Sequence, residues 1–178
     1  RVVYHATMAV GRLQYMEGLD AVTEMLWSND NEDALLRHAG VMALAWMDDR
    51  EALLELTGDE FPAVRLASLL ALRRMQDPGV ELLLNDPDPL IAAEAARAIN
   101  DEPIDASMPA LVDRLASFHE GAVDSYSPSE IAILRRALNA AMRSGQPEDS
   151  MSVARVVLEP GNPAPMRREA LLVLGEWM

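Results

Sequence analysis

A helix pattern built on two small or short residues three positions apart recurs six times along this 178-residue chain. It occurs in VVYHATMAVGRL (2–13), LLRHAGVMALAWM (35–47), AVRLASLLALRRM (63–75), LIAAEAARAIND (90–101), AILRRALNAAMRS (132–144) and PMRREALLVLGEWM (165–178). The pairs are Ala6/Ala9, Gly40/Ala43, Ser68/Ala71, Ala95/Ala98, Ala137/Ala140 and Ala170/Val173. Aliphatic residues follow five of them (Val10, Leu44, Leu72, Ile99 and Leu174), and Ala141 follows the other. Residues three apart share one face of a helix, and small side chains there let a second helix approach closely. The first small position steps along the chain by 34, 28, 27, 42 and 33 residues. A period of about 20–50 residues indicates stacked copies of one supersecondary unit.

Shorter apolar segments lie between these helices: 19–27, 51–57, 79–85, 108–118 and 149–158. Each unit therefore reads as a short helix A, a turn and a longer helix B. Pro62, Pro89, Pro128 and Pro165 sit just inside expected B-helix starts, and Pro78, Pro109 and Pro147 near A-helix starts. Proline suits a first helical turn, where its missing amide has no intrahelical partner to lose. Asp59, Asp77, Asp86, Ser107 and Ser127 precede these starts and are placed to cap or charge-stabilise them. No stretch alternates between turn signals as a half-buried strand would. The pattern predicts an all-α chain of about eleven helices, with residues 1–178 forming one elongated domain.

The repeated unit resembles HEAT repeats, most clearly in FPAVRLASLLAL (61–72), with its Pro, its Val-Arg and then its small and Ala-Leu positions. The resemblance implies a right-handed α-α superhelix. In that family an Asp of the inter-helix turn often pairs with an Arg of the next helix. Asp59 and Arg65 occupy those places, and Asn31 and Arg37 share the same separation. The fourth and fifth copies carry Ala92 and Leu134 where the Arg would stand, so the ladder is interrupted there. The second half, in RAINDEPI (97–104), ILRRALNAAMRSG (133–145) and RREALLVLGEW (167–177), is similar to the HEAT region of large exported bacterial proteins. In those, a sorbosone- or glucose-dehydrogenase-like β-propeller precedes the helices and a haem-c domain follows. That likeness implies an exported, periplasmic setting. The propeller's cofactor site and the CxxCH haem motif would lie outside this sequence, so no cofactor is expected within it.

Composition narrows the chemistry. Half the residues are apolar but only 4% are aromatic, which suits Ala/Leu helix packing. No run of eighteen apolar residues exists to span a membrane. There are no cysteines, which excludes thiol catalysis, thiolate metal sites and covalent haem in this segment. All fifteen cations are arginine, so a Walker P-loop or a Schiff-base lysine is excluded too. The net charge of −14 disfavours nucleic acid, whose phosphates need a basic surface. It favours a basic protein partner, unless it serves only to keep an alanine-rich chain soluble. The first helix has no helix A before it, and the chain closes on Trp177 and Met178 of an apolar helix. The expectation is an excerpt of a longer polypeptide whose terminal faces, lacking polar caps, associate end to end.

Candidate sites are few. His5 and His38 fall early on consecutive B helices, but two histidines without a carboxylate make a poor metal site. His119-Glu120 is similar to the His-Glu pairs of di-iron HEAT hydroxylases, which need several such pairs in register. The acids of Asp48-Asp49, Asp59-Glu60, Asp86/Asp88 and Asp101-Glu102 recur at helix junctions, where capping is the ordinary role. Arg73, Arg74, Arg135 and Arg136 are placed to project from the B-helix surface, or else to pair with acids on a solvated face. The longest step contains HEGAVDSYSPS (119–129), polar and without helical period. It predicts a protruding loop, with His119, Glu120, Asp124 and Tyr126 as contact residues. Together these features predict a non-catalytic HEAT-repeat scaffold that binds protein or neighbouring domains of its own chain. The alternative is a structural part between the propeller and cytochrome c domains of a multidomain periplasmic dehydrogenase. A HEAT-like enzyme is disfavoured by the lack of Cys, Lys and clustered His-Glu pairs.

Overall fold

A computed structural model of the chain describes residues 1–118 and 126–177. Among the described residues there are ten α-helices, four 3-10 segments and no strand. With the eight-residue 3-10 segment Pro78–Asn85 standing in for an expected helix, the count reaches the expected eleven. The chain divides into two compact units, Arg1–Gly79 and Val80–Met178.

The first unit holds α1 (Val2–Arg12), α2 (Leu19–Asn29), α3 (Ala34–Met47), α4 (Arg50–Leu56) and α5 (Pro62–Met75). Alternate helices pack in chain order, α1 on α3 and α3 on α5, while α2 lies against α3 and α5, and α4 against α5. The sequence explains the joints. Pro62 opens α5, and the carboxylates of Asp33 and Asp49 accept amide hydrogens of the first turns of α3 and α4. The small positions let the helices close: Gly40, Ala43, Ser68 and Ala71 are all buried. A Cβ on Gly40 would lie 2.5 Å from a Leu26 methyl, so only glycine admits α2 at that distance. The buried Ser68 hydroxyl donates to the Leu53 carbonyl at 2.7 Å, tying α5 to α4 without leaving a polar group unpaired.

The first copy of the pattern departs from expectation. Ala6 and Ala9 are exposed, and Thr7 and Gly11 are the buried residues of α1. A Cβ on Gly11 would stand 2.4 Å from the Ala43 Cα. The bare backbone of Gly11 therefore sets which face of α1 meets α3, overriding the Ala6/Ala9 register.

The second unit holds α6 (Pro89–Asp101), α7 (Met108–Asp113), α8 (Pro128–Ser144), α9 (Pro147–Leu158) and α10 (Ala164–Gly175). Here α8 packs against both α6 and α10, with α7 against α8 and α9 against α8 and α10. Ala95, Ala98, Ala137, Ala140 and Ala170 are fully buried. Pro89, Pro128 and Pro147 open their helices, and Pro109 and Pro165 stand one residue further in. Ser127 caps α8 in a reciprocal box with Glu130. By contrast, Asp59, Asp77 and Asp86 each accept the amide hydrogen two residues on, at 2.8 Å, so they shape the turns before the helices.

The segment expected as helix A over 79–85 is 3-10 in form. A Cβ on Gly79 would lie 2.4 Å from a Leu54 methyl, and the Gly79 amide is held by Asp77. This pinned start leaves a short run that buries Val80, Leu83 and Leu84. Tightening to three residues per turn places Val80 over Leu83.

Candidate functional site

Three arginines occupy the same register, the fourth residue of a long helix and three before its first small position. Arg65 of α5 donates through Nη1 to the main-chain carbonyls of Asp59 (3.0 Å) and Glu60 (3.2 Å). Arg37 of α3 reaches the Asn31 carbonyl at 3.4 Å. Arg167 of α10 reaches the Val157 carbonyl through Nε at 2.8 Å, a rung the sequence reasoning missed. Both expected residue pairs are thus brought together, through the backbone oxygens of Asp59 and Asn31. The Asp59 carboxylate itself accepts from the Phe61 amide. Arg37 and Arg65 fasten the inter-helix turn to the helix that follows it, and Arg167 ties α10 to the last turn of α9.

The arginines expected as a contact surface divide by unit. Arg73 and Arg74 close α5, where cations oppose the negative end of the helix dipole; Arg74 is exposed and Arg73 half-buried. Arg135 of α8 pairs with Glu169 of α10 at 3.0 Å. Arg136 pairs with Asp101 of α6 at 3.2 Å. Asp101 also lies 3.6 Å from Arg97. Burial pushes the Asp101 carboxyl up, but the bonds from Arg136 and Asn100 and the charges of Arg136 and Arg97 outweigh it and hold the group below its ordinary value. Arg135 and Arg136 therefore link adjacent helices across a solvated surface.

Of the loop residues, His119, Glu120 and Asp124 lie outside the described residues. Tyr126 is half-buried, with its ring edge-on to Phe118 and its hydroxyl donating to Oδ1 of the buried Asn162. Asn162 in turn donates to the Val156 carbonyl at 2.9 Å. Burial, followed by the charges of Glu130 and Glu159, raises the Tyr126 phenol above its usual range.

A cleft of about 490 Å³ opens in the second unit between α7 and the junction of α8 with α9. Met108, Pro109 and Val112 of α7 form its apolar floor, and Asp105 and Asp113 stand at either end of that helix. The other wall carries Arg143, Ser144, Gln146 and Asp149. Arg143 is engaged with the Asn100 carbonyl at 3.0 Å, and Asp149 accepts from the Ser144 hydroxyl. In the first unit, Trp27 and Phe61 stack with ring centres 5.3 Å apart, and both are partly exposed. Neither the cleft nor this aromatic pair was legible beforehand, because each joins residues from separate helices. Only the low aromatic content could have singled out Trp27 and Phe61.

His5 and His38 are both exposed, and among the described residues no group of three or more metal-ligating side chains is assembled. Among them, too, no helix is long and apolar enough to cross a membrane. No family model, curated protein or solved structure matches the chain.

Proposed function

We propose that this chain is a HEAT-like, non-catalytic scaffold that presents helix faces and inter-helix turns to a protein partner or to neighbouring domains of its own polypeptide. The observation that carries the reading is the order of packing. In each unit alternate helices pack on one another in chain order, with the helices between them set against these. The recurring arginine bond supports it, to the preceding turn from Arg37 and Arg65 and to the last turn of α9 from Arg167, because a stacked array needs each helix fixed to what precedes it. The absence of Cys and Lys from the sequence supports a binding role over covalent chemistry.

Two measurements test this. A compact domain of this length has a radius of gyration near ~16 Å. Small-angle scattering should return a clearly larger value for an elongated array, and a value at ~16 Å would reject the superhelix. Cross-linking in extracts of the native host should then capture protein, with linked peptides drawn from turns and exposed helix faces. If no protein is captured above the background of a charge-matched helical control, the scaffold reading fails.

A further inference from the structure

We infer that the cleft between α7 and the α8–α9 junction seats an arginine side chain from a basic segment of a protein partner. The inference rests on the interaction reading above and names the chemistry of the partner. Three carboxylates line the cleft, from Asp105, Asp113 and Asp149, against the single guanidinium of Arg143. Arg143 is already bound to a backbone carbonyl and Asp149 to Ser144. Among the described residues Asp105 and Asp113 have no hydrogen-bond or ion-pair partner, so two negative charges stand uncompensated at the ends of α7.

The backbone adds to the same sign. The 17-residue helix α8 ends at the cleft, at Ser144, with Gly145 in the left-handed conformation. The carbonyl end of a helix favours a cation. Between the charges lies an apolar floor in which Met108 and Val112 are almost fully buried and Pro109 is exposed. An arginine fits both halves: its methylene stem covers apolar surface, and its planar fork takes carboxylates two bonds at a time. The chain's net charge of −14 steers a basic segment toward it.

The test uses the full 178-residue chain and a labelled nine-residue Arg/Ala peptide, read by fluorescence anisotropy at low ionic strength. The control peptide carries neutral citrulline in place of arginine. The arginine peptide should bind saturably, and the citrulline peptide at least about tenfold more weakly. Asp105→Asn combined with Asp113→Asn should weaken the arginine peptide about tenfold. Glu55→Gln combined with Glu81→Gln removes the same charge from exposed positions elsewhere and should change binding less than about twofold. Circular dichroism checks that the variants remain folded. An amide-shift titration of the wild-type chain gives a readout independent of any variant, with shifts expected over 105–113 and 143–149. Equal binding of citrulline, equal loss in the two double variants, shifts confined to other residues, or no saturable binding would each overturn the proposal. Saturable binding that maps elsewhere removes the cleft but leaves the scaffold reading standing, which falls only with the cross-linking experiment.

Discussion

At the scale of single residues, two arginines in one register differ in environment, and the difference sets what each contributes. Arg65 is 8% exposed and bonds two carbonyls, whereas Arg37 is half-buried and bonds one at 3.4 Å. Hydrogen bonds to a charged group contribute about 1.5–3 kcal/mol, and more where the charged group is shielded from water. Arg65→Met should therefore cost about 2–3 kcal/mol in urea unfolding and Arg37→Met about 1 kcal/mol or less. Equal losses would mean that burial is not what separates them. Asp101 supplies a pH-dependent effect. Its folded-state pKa lies below its unfolded value of about 3.9, so its stabilisation is complete above that value. The stabilisation disappears as pH falls through the folded value. Asp101→Asn should lower the urea midpoint at pH 7 by a small amount, since the side chain is 38% exposed, and the gap should close in acid, once the pH has fallen below the folded-state value. A gap that persists in acid would assign the effect to packing.

At the scale of helices, the small-residue contacts decide how closely neighbours lie, and two glycines separate that effect from helix propensity. Alanine is favoured over glycine within a helix by about 1 kcal/mol. At Gly175, on the last turn of α10, an added Cβ meets nothing within 4 Å. At Gly11 it meets the Ala43 backbone at 2.4 Å. Overpacking costs about 1–3 kcal/mol, and a backbone atom yields less readily than a side chain. Gly175→Ala should hold or raise the melting temperature. Gly11→Ala should lower it and speed amide exchange in α1 relative to α5. Unchanged protection of α1 would show that α1 does not depend on close approach to α3. The 3-10 segment Pro78–Asn85 shows the same dependence on neighbours, since its pinned first turn wins over the helical pattern of its apolar residues.

At the scale of the whole molecule, surface charge and exposed apolar side chains oppose one another. Val2 and Val3 of α1 and Leu171 and Leu172 of α10 are each at least half exposed. Burying apolar area yields about 25 cal/mol per Å², and mutual repulsion of chains at −14 works against it. Salt screens the repulsion, with a Debye length near 3 Å at ~1 M. Sedimentation should therefore show self-association that grows with protein concentration and with salt. Leu171→Glu combined with Leu172→Glu should reduce it. A strictly monomeric wild-type chain at high concentration in ~1 M salt would end the idea that these faces associate.

The sequence by itself determined the helices. Proline, capping residues and apolar period act over a few residues, so the starts at Pro62, Pro89, Pro128 and Pro147 were readable without any neighbour. It also determined the buried small pairs of the middle copies, because those positions serve any helix that packs there. The tertiary structure decided what depends on a second element. It chose Thr7 and Gly11 over Ala6 and Ala9, made 3-10 turns of residues 78–85, and gave Arg136 to Asp101 across 35 positions of chain. It also assembled the cleft from α7 and the α8–α9 junction. The physical reason is range: propensity and capping are written in adjacent residues, while packing angles, ion pairs and clefts are fixed only once two helices meet.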